Sequence, residues 1–304
     1  MPIFEQVFQL LEQPMLLLAQ SRGNIKIKAA NQAFQQFVGK STEELLAQGF
    51  DSLFAPLAFD LSKRCHKSEA VLHANKKREV AVRIELIPID SLAQARVDSG
   101  SRRTQTAVML IEDLTAYKWL SQQLERDKVL ISGIVNKHLH IQFLRDSLSP
   151  LLFEPDRSLD DENLLQFIAE HEREKIISIL EQGSAVSKEQ RINVQTSKQS
   201  GVEAELELTY IPILDGFGQC SQYAFVIWDL RPSEDRTDAS MKLRIWMAKR
   251  DISAAQLSSA TGISIQTISK LRNGKIEKPQ RLTAELIASE LGVKVQDIWP
   301  RTRK

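Results

Sequence analysis

Apolar residues recur along this chain at two periods, and each change of period marks a new element. Residues 3–13 carry apolar side chains at helical spacing and stop at Pro14, which cannot continue a helix. Strands are predicted at 15–19 and 25–29, around the turn-forming run Ser21-Arg22-Gly23-Asn24. Asn31 is placed to cap a helix bearing Ala33, Phe34, Phe37 and Val38, which Gly39 ends. Ser41 and Glu44 have the spacing of a capping box, each satisfying the other's backbone donor. Three further strands are predicted at 70–74, 78–89 and 106–112. In the second of these Val80, Val82, Ile84 and Leu86 alternate with Ala81, Arg83 and Glu85, the period of a half-buried strand.

Part of this pattern returns later in the chain, in a more degenerate form. Leu86-Ile-Pro-Ile-Asp90 recurs as Tyr210-Ile-Pro-Ile-Leu-Asp215, and Val108-Met-Leu-Ile-Glu-Asp-Leu114 as Phe225-Val-Ile-Trp-Asp-Leu230. A strand at 202–210 puts Val202, Ala204, Leu206 and Leu208 on one face and Glu203, Glu205, Glu207 and Thr209 on the other. Helices near Leu151 and over 164–182 are expected to fill the middle of this second unit. Between the two copies Tyr117, Leu120, Leu124, Ile131 and Ile134 fall at helical spacing. That stripe can seal against its own domain or pair with a twin as a short coiled coil. Residues 232–240 are polar and unpatterned, and read as a linker.

The last 64 residues are helical throughout, with segments predicted at 241–250, 254–261, 264–272, 279–291 and 295–298. Gly262 supplies a tight turn and Ser264 caps the segment that follows. Leu257, Ala260, Ile263, Ile268 and Leu271 form an apolar side that locks the second and third segments together. Ile265, Gln266, Thr267 and Lys270 are left facing outward. Charge sharpens the picture. Residues 241–304 carry 13 basic and 5 acidic groups, a net of +8, whereas residues 1–240 are at −7 and the whole chain at +1. A basic module on an acidic body is expected where one end meets a polyanion.

Leu257, Gly262-Ile263-Ser264, Thr267-Ile268-Ser269, Asn273-Gly274-Lys275 and Pro279 together resemble the helix-turn-helix domain of the Cro and lambda-repressor type. The resemblance covers about 60 residues and implies five helices, the third of which enters the DNA major groove. It makes Ser264, Ile265, Gln266, Thr267, Lys270, Arg272, Asn273 and Lys275 the expected DNA-binding residues. Gln266 would bond an adenine edge, Lys270 guanine acceptors, and Ile265 a thymine methyl. Asn273 and Lys275 would clamp phosphates. Two departures stand out: Ala254 replaces a frequent glutamine, and Arg272 a common glutamate. Further upstream, Gly23-Asn-Ile25, Asn31-Gln-Ala-Phe34, Gly39-Lys-Ser-Thr-Glu-Glu-Leu45 and Asp113-Leu-Thr115 resemble the PAS family. The expected organisation is a PAS-like domain at 1–117, a connecting helix at 118–130, a second, degenerate PAS-like domain at 131–231, a linker at 232–240 and the helix-turn-helix domain at 241–304. The fold class is therefore multi-domain: two α+β domains, each with a five-stranded antiparallel sheet, and an all-α five-helix domain.

Other chemistry finds little support. The chain has no run of 18 apolar residues and no basic-then-apolar leader, so neither membrane span nor secretion signal is expected. Cys65 and Cys220 build no disulfide framework, which suits a reducing cytoplasm. The word Lys63-Arg-Cys-His-Lys67 is not that of a light-sensing flavin domain. His66 and His73 are weak candidates for a haem ligand, and His138 with His140, taken to share a strand face, lack a third metal ligand. No phosphate-cradling loop, zinc-protease helix or nucleophile elbow is present. No enzyme activity and no cofactor are expected, although a small-molecule ligand of a PAS-like domain stays open. The expectation is a cytoplasmic, sequence-specific DNA-binding transcriptional regulator that pairs as a homodimer on double-stranded DNA. The alternatives are an interaction scaffold whose helix-turn-helix no longer binds DNA, and a sensor enzyme with an unfamiliar site in the second domain.

Overall fold

The computed structural model describes residues 3–302 except 22–23, 55–60, 62–64, 76–77, 90–104, 147–158, 160, 185–187, 198–203 and 233–237. The helix expected near Leu151, the turn at Arg22 and Gly23, Val202, Glu203, most of the 232–240 linker and the side chains of Cys65 and His66 lie outside the described residues. The chain divides into two compact units, Met1–Trp119 with Ile213–Ser221, and Leu120–Pro212 with Gln222–Lys304.

The first unit runs α1 (Ile3–Leu10), β1 (Met15–Ser21), β2 (Asn24–Ala30), α2 (Gln32–Val38), α3 (Thr42–Gln48), β3 (Cys65–His73), β4 (Glu79–Ile89) and β5 (Gln105–Asp113). Its five strands form an antiparallel sheet in the order β2-β1-β5-β4-β3, the PAS-like arrangement. The alternation in β4 does what it predicts: Val80, Val82, Ile84 and Leu86 are buried and their neighbours are not. Opposite this face, Phe34, Phe37, Val38, Leu45, Phe50 and Phe54 close the core, with Phe50 and Phe54 stacked 5.0 Å apart. β3 starts five residues before the predicted 70–74, because its pairing with β4 continues through an irregularity between Cys65 and Ser68.

One buried polar side chain organises the turn out of β2. Asn31 is fully buried. Its Oδ1 accepts from the backbone N–H of Met15 and of Phe34, both at 2.9 Å, so it caps α2 and holds β1 at once. Its Nδ2 donates to the carbonyls of Leu11 at 3.1 Å and Gln13 at 2.8 Å. The Ser41–Glu44 capping box is formed as expected. Gly39 ends α2 with φ +70°, and the backbone of Gly216 passes so close that a Cβ on Gly39 would lie 2.2 Å from the Gly216 carbonyl oxygen. Replacing either glycine by valine is therefore expected to lower the first unit's melting midpoint, which scanning calorimetry would record.

α4 (Thr115–Arg126) begins at Asp113, whose Oδ1 accepts from Thr115 N at 2.8 Å and Thr115 Oγ1 at 2.6 Å. Burial pushes the Asp113 carboxyl above its ordinary pKa, and the bonds from Thr115 pull partly against that shift. The predicted stripe does not run on as one helix. Leu120 is buried, Tyr117 and Leu124 are exposed, and Ile131 and Ile134 belong to a strand.

The second unit repeats the topology. β6 (Ile131–Asn136), β7 (Ile141–Asp146), β8 (Gln190–Gln195), β9 (Ala204–Leu214) and β10 (Cys220–Pro232) form a sheet in the order β7-β6-β10-β9-β8, with the helix α5 (Arg173–Ser184) between β7 and β8 in the chain. The two Ile-Pro-Ile words thus fall in equivalent strands, β4 and β9, and the second pair of words in β5 and β10. The helix expected over 164–182 is broken. Asn163 caps a short 3-10 turn at Leu164–Phe167. Ile168 then bridges Thr196, and Ala169 N donates to Gln195 O at 2.8 Å, so the backbone serves the sheet edge before α5 begins at Arg173. His138 and His140 do not share a strand face. Both backbone N–H groups are held by Asn136 Oδ1, at 2.9 and 3.0 Å, in the link between β6 and β7.

Candidate nucleic-acid interface

Residues 239–302 fold as five helices: α6 (Ala239–Arg250), α7 (Ala254–Thr261), α8 (Ile265–Arg272), α9 (Arg281–Leu291) and α10 (Val295–Ile298). Each early boundary is set by a short polar side chain. Asp238 caps α6 by accepting from Met241 N at 2.8 Å. Ser253 and Gln256 form a capping box at the start of α7. Gly262 closes α7 with φ +71°, a conformation that suits glycine. Ser264 caps α8, accepting from Thr267 N at 3.2 Å, and its hydroxyl lies 2.9 Å from that of Thr267. The turn between α7 and α8 is tied twice more, by Ser258 Oγ donating to Ile263 O and Thr261 Oγ1 to Leu257 O, each at 2.6 Å.

Leu243, Met247, Leu257, Ile268, Leu271, Ala284, Ile287, Leu291, Ile298 and Trp299 make the core beneath these caps, with Ile263 packed at its edge. Ala260 does not join the predicted lock; it is exposed. The core fixes the roll of α8. With Ile268 and Leu271 turned inward, Ser264, Ile265, Gln266 and Lys270 are exposed, and Thr267 is half-buried beneath its bond to Ser264. Ile265 is 51% exposed. Asn273 and Lys275 stand exposed just beyond the helix, on either side of Gly274. Arg272 is placed differently from the other seven. It is half-buried and its Nε makes no hydrogen bond. Its charge lies near Arg244 of α6, whose pKa is lowered first by burial and then by Arg272. Ala254 is half-buried against the core, so no side chain reaches outward from that position.

Pattern reasoning missed a second role for α6. Ile245 is fully buried yet lies outside the five-helix core, one turn before Lys249 on the same side of the helix. Lys249 Nζ sits 2.5 Å from Asp229 Oδ1 of β10 and 4.7 Å from the Trp246 ring centroid. The Lys249 carbonyl accepts from Lys128 Nζ at 3.0 Å. A clue was present in the sequence: α6 has apolar residues on both of its faces, the mark of a helix buried on two sides. Burial alone would raise the Asp229 pKa, but hydrogen bonds from Lys249 and Arg231 outweigh it and hold the carboxyl below its ordinary value. An acid with a depressed folded-state pKa contributes stability above its unfolded pKa and loses it as pH falls through the folded value. Asp229→Asn is thus expected to cost about 1 kcal/mol or less near neutrality, the pair being partly exposed. Parent and variant melting curves should begin to approach one another as pH falls below the ordinary aspartate pKa of about 3.9 and meet only below the lowered folded-state value.

Fold and site together define a DNA-binding helix-turn-helix module behind two PAS-like domains. Residues 242–301 match the family described as the Cro/C1-type HTH DNA-binding domain. Similar solved structures include the PAS domain of an HTR-like protein from Haloarcula marismortui, 16% identical, spanning 36% of this chain and 88% of that one with a TM-score of 0.28. The PAS domain of nitrogen regulation protein NR(II) from Vibrio parahaemolyticus is 14% identical, spanning 37% of this chain and 99% of that one, TM-score 0.28. The PAS domain of BvgS from Bordetella pertussis is 16% identical, spanning 41% and 93%, TM-score 0.27. No curated protein matches the chain. Among the described residues no helix is long and apolar enough to cross a membrane, and no group of three or more His, Cys, Asp or Glu is placed to hold a metal ion.

Proposed function

We propose that this protein is a sequence-specific transcriptional regulator of the cytoplasm, that it binds duplex DNA as a homodimer, and that its PAS-like domains adjust that binding in response to a small molecule. The observation that carries the reading is the outward face of α8. A capped, core-locked helix presents Ile265, Gln266 and Lys270 at the surface of a module carrying net charge +8, with Asn273 and Lys275 beside them. Gln266 and Lys270 have the donors and reach to read base edges, and Lys275 is free to meet a phosphate. A single module of this size makes few contacts, so two copies on half-sites one helical turn apart supply the affinity. The reading assigns no catalytic step to the chain.

Selection of bound duplexes from a random pool would yield the operator. On it, Lys270→Ala is expected to cost about 1–3 kcal/mol and to relax preference at one base pair. Lys275→Ala should weaken every sequence alike and lower the salt slope by about 0.9. Parent-like binding by both variants would remove α8 from the groove. Light scattering that shows a single copy with and without DNA would remove the homodimer. The exposed Ile265 favours one rival, a docking surface for protein; binding that ignores salt would select it.

A further inference from the structure

Among its described residues the second PAS-like domain holds a partly open cavity of about 120 Å³. In the first domain phenylalanines from α2 and from residues 50–54 occupy the space over the sheet. In the second, the corresponding cover is the short turn Leu164–Phe167 and α5, and a void remains beneath them. Its wall is hydrocarbon, formed among others by Ile131, Leu164, Phe167, Ile192, Leu206 and Phe225. The few polar groups at its edge are engaged. The Tyr210 hydroxyl is shared between Ile179 O at 3.1 Å and Gln190 Oε1 at 2.9 Å, and Thr196 Oγ1 accepts from Ala204 N at 2.8 Å. Leu164, Phe167, Leu206 and Leu208 keep partial exposure, so the wall is reachable from solvent.

An apolar void of this size leaves wall atoms without dispersion partners. Cavities of about 150 Å³ lined by Leu, Ile and Phe stay dry and take benzene-sized guests. We propose that the second PAS-like domain is a receptor for an uncharged, hydrocarbon-rich small molecule whose buried part is about the size of a benzene ring. Charged molecules are refused because none of the described residues in the wall can pair with a buried charge. The site deepens the ligand control proposed above and rests on that reading only for its consequence. β10 supplies Phe225 and Ile227 to the wall and Asp229 to the ion pair with Lys249 of α6, so one strand touches both the guest and the DNA module.

The test uses the full chain and isothermal titration with 1-octanol and indole as probes, against octanoate and octylamine. Saturable binding of at least one neutral probe at one per chain is expected, with a negative heat-capacity change. The charged pair should bind at least about tenfold more weakly. Ile192→Phe and Leu206→Trp fill the void and should abolish binding while the circular dichroism stays that of the parent. If one filling variant fails to fold, the other and the neutral-versus-charged contrast still decide. No saturable binding of either neutral probe up to its solubility limit, equal binding of octanoate, or parent-like binding by a folded filling variant would overturn the proposal. Operator affinity measured without any probe reports on the DNA reading separately. A probe that binds but leaves operator affinity unchanged upholds the receptor and overturns its coupling to DNA.

Discussion

Asn31→Ala is expected to destabilise the first PAS-like domain by about 3–5 kcal/mol, the largest effect of any single polar substitution in that domain. The wild-type side chain is fully buried and makes four hydrogen bonds, two as acceptor and two as donor. Truncation leaves the buried N–H groups of Met15 and Phe34 without an acceptor, and removes a donor from the carbonyls of Leu11 and Gln13. Each orphaned group costs about 1–3 kcal/mol, and partial relaxation keeps the total below the sum. Asn31→Asp separates the two halves of the network. It retains an acceptor for Met15 and Phe34 but loses both donors and brings a charge into the interior. Hydrogen exchange at β1 and α2 in the full chain would measure both variants. A cost under about 1 kcal/mol for Asn31→Ala would mean that the turn is held by its apolar neighbours instead.

Trp299→Ala should cost the helix-turn-helix module about 3–5 kcal/mol, enough to unfold a domain of some 60 residues. Trp299 is 2% exposed and is the largest of the fully buried side chains. It packs in one cluster with Leu243, Leu291 and Ile298, so it joins the first, fourth and fifth helices of the module. Its removal leaves a void that these short helices cannot close without losing other contacts. The expected readout is loss of DNA binding and of exchange protection in α7 to α10, while amides of the two sheets keep their protection. Trp299→Phe keeps most of the apolar volume and should retain both. Unchanged DNA binding by the alanine variant would show that α10 is dispensable.

Much of this architecture was legible from local chemistry. Helix boundaries set by Asn31, Ser41 and Ser264 could be placed because such a cap is a contact between residues three apart, and the sequence shows both partners. β4 could be placed because its alternation reports which face is wet. Most of the failures depend on residues distant in sequence. The 164–182 segment has helical spacing throughout, but pairing with β8 overrides it at Ile168 and Ala169. His138 and His140 are the exception, a local turn: they have strand spacing, but their near neighbour Asn136 gathers both. Of the eight candidate DNA contacts, the six exposed on or beside α8 follow from the apolar stripe of that one helix. Arg272 does not: it is half-buried with its charge near Arg244, which no local pattern links to it. The cavity in the second domain was invisible for the same reason, since a void is a property of what faces across it.

The helix that opens the DNA module belongs to two interiors. One side of α6 is committed to the five-helix core through Leu243 and Met247. The side bearing Ile245 is sealed as tightly by something other than that core. Releasing the module would bare Ile245 to water, at about 1.5–3 kcal/mol for that residue alone. Partial tilting recovers none of this, because a gap too thin for water still forfeits contact. The module is consequently either seated or let go, and a signal reaching it has to act as a catch rather than as a dial.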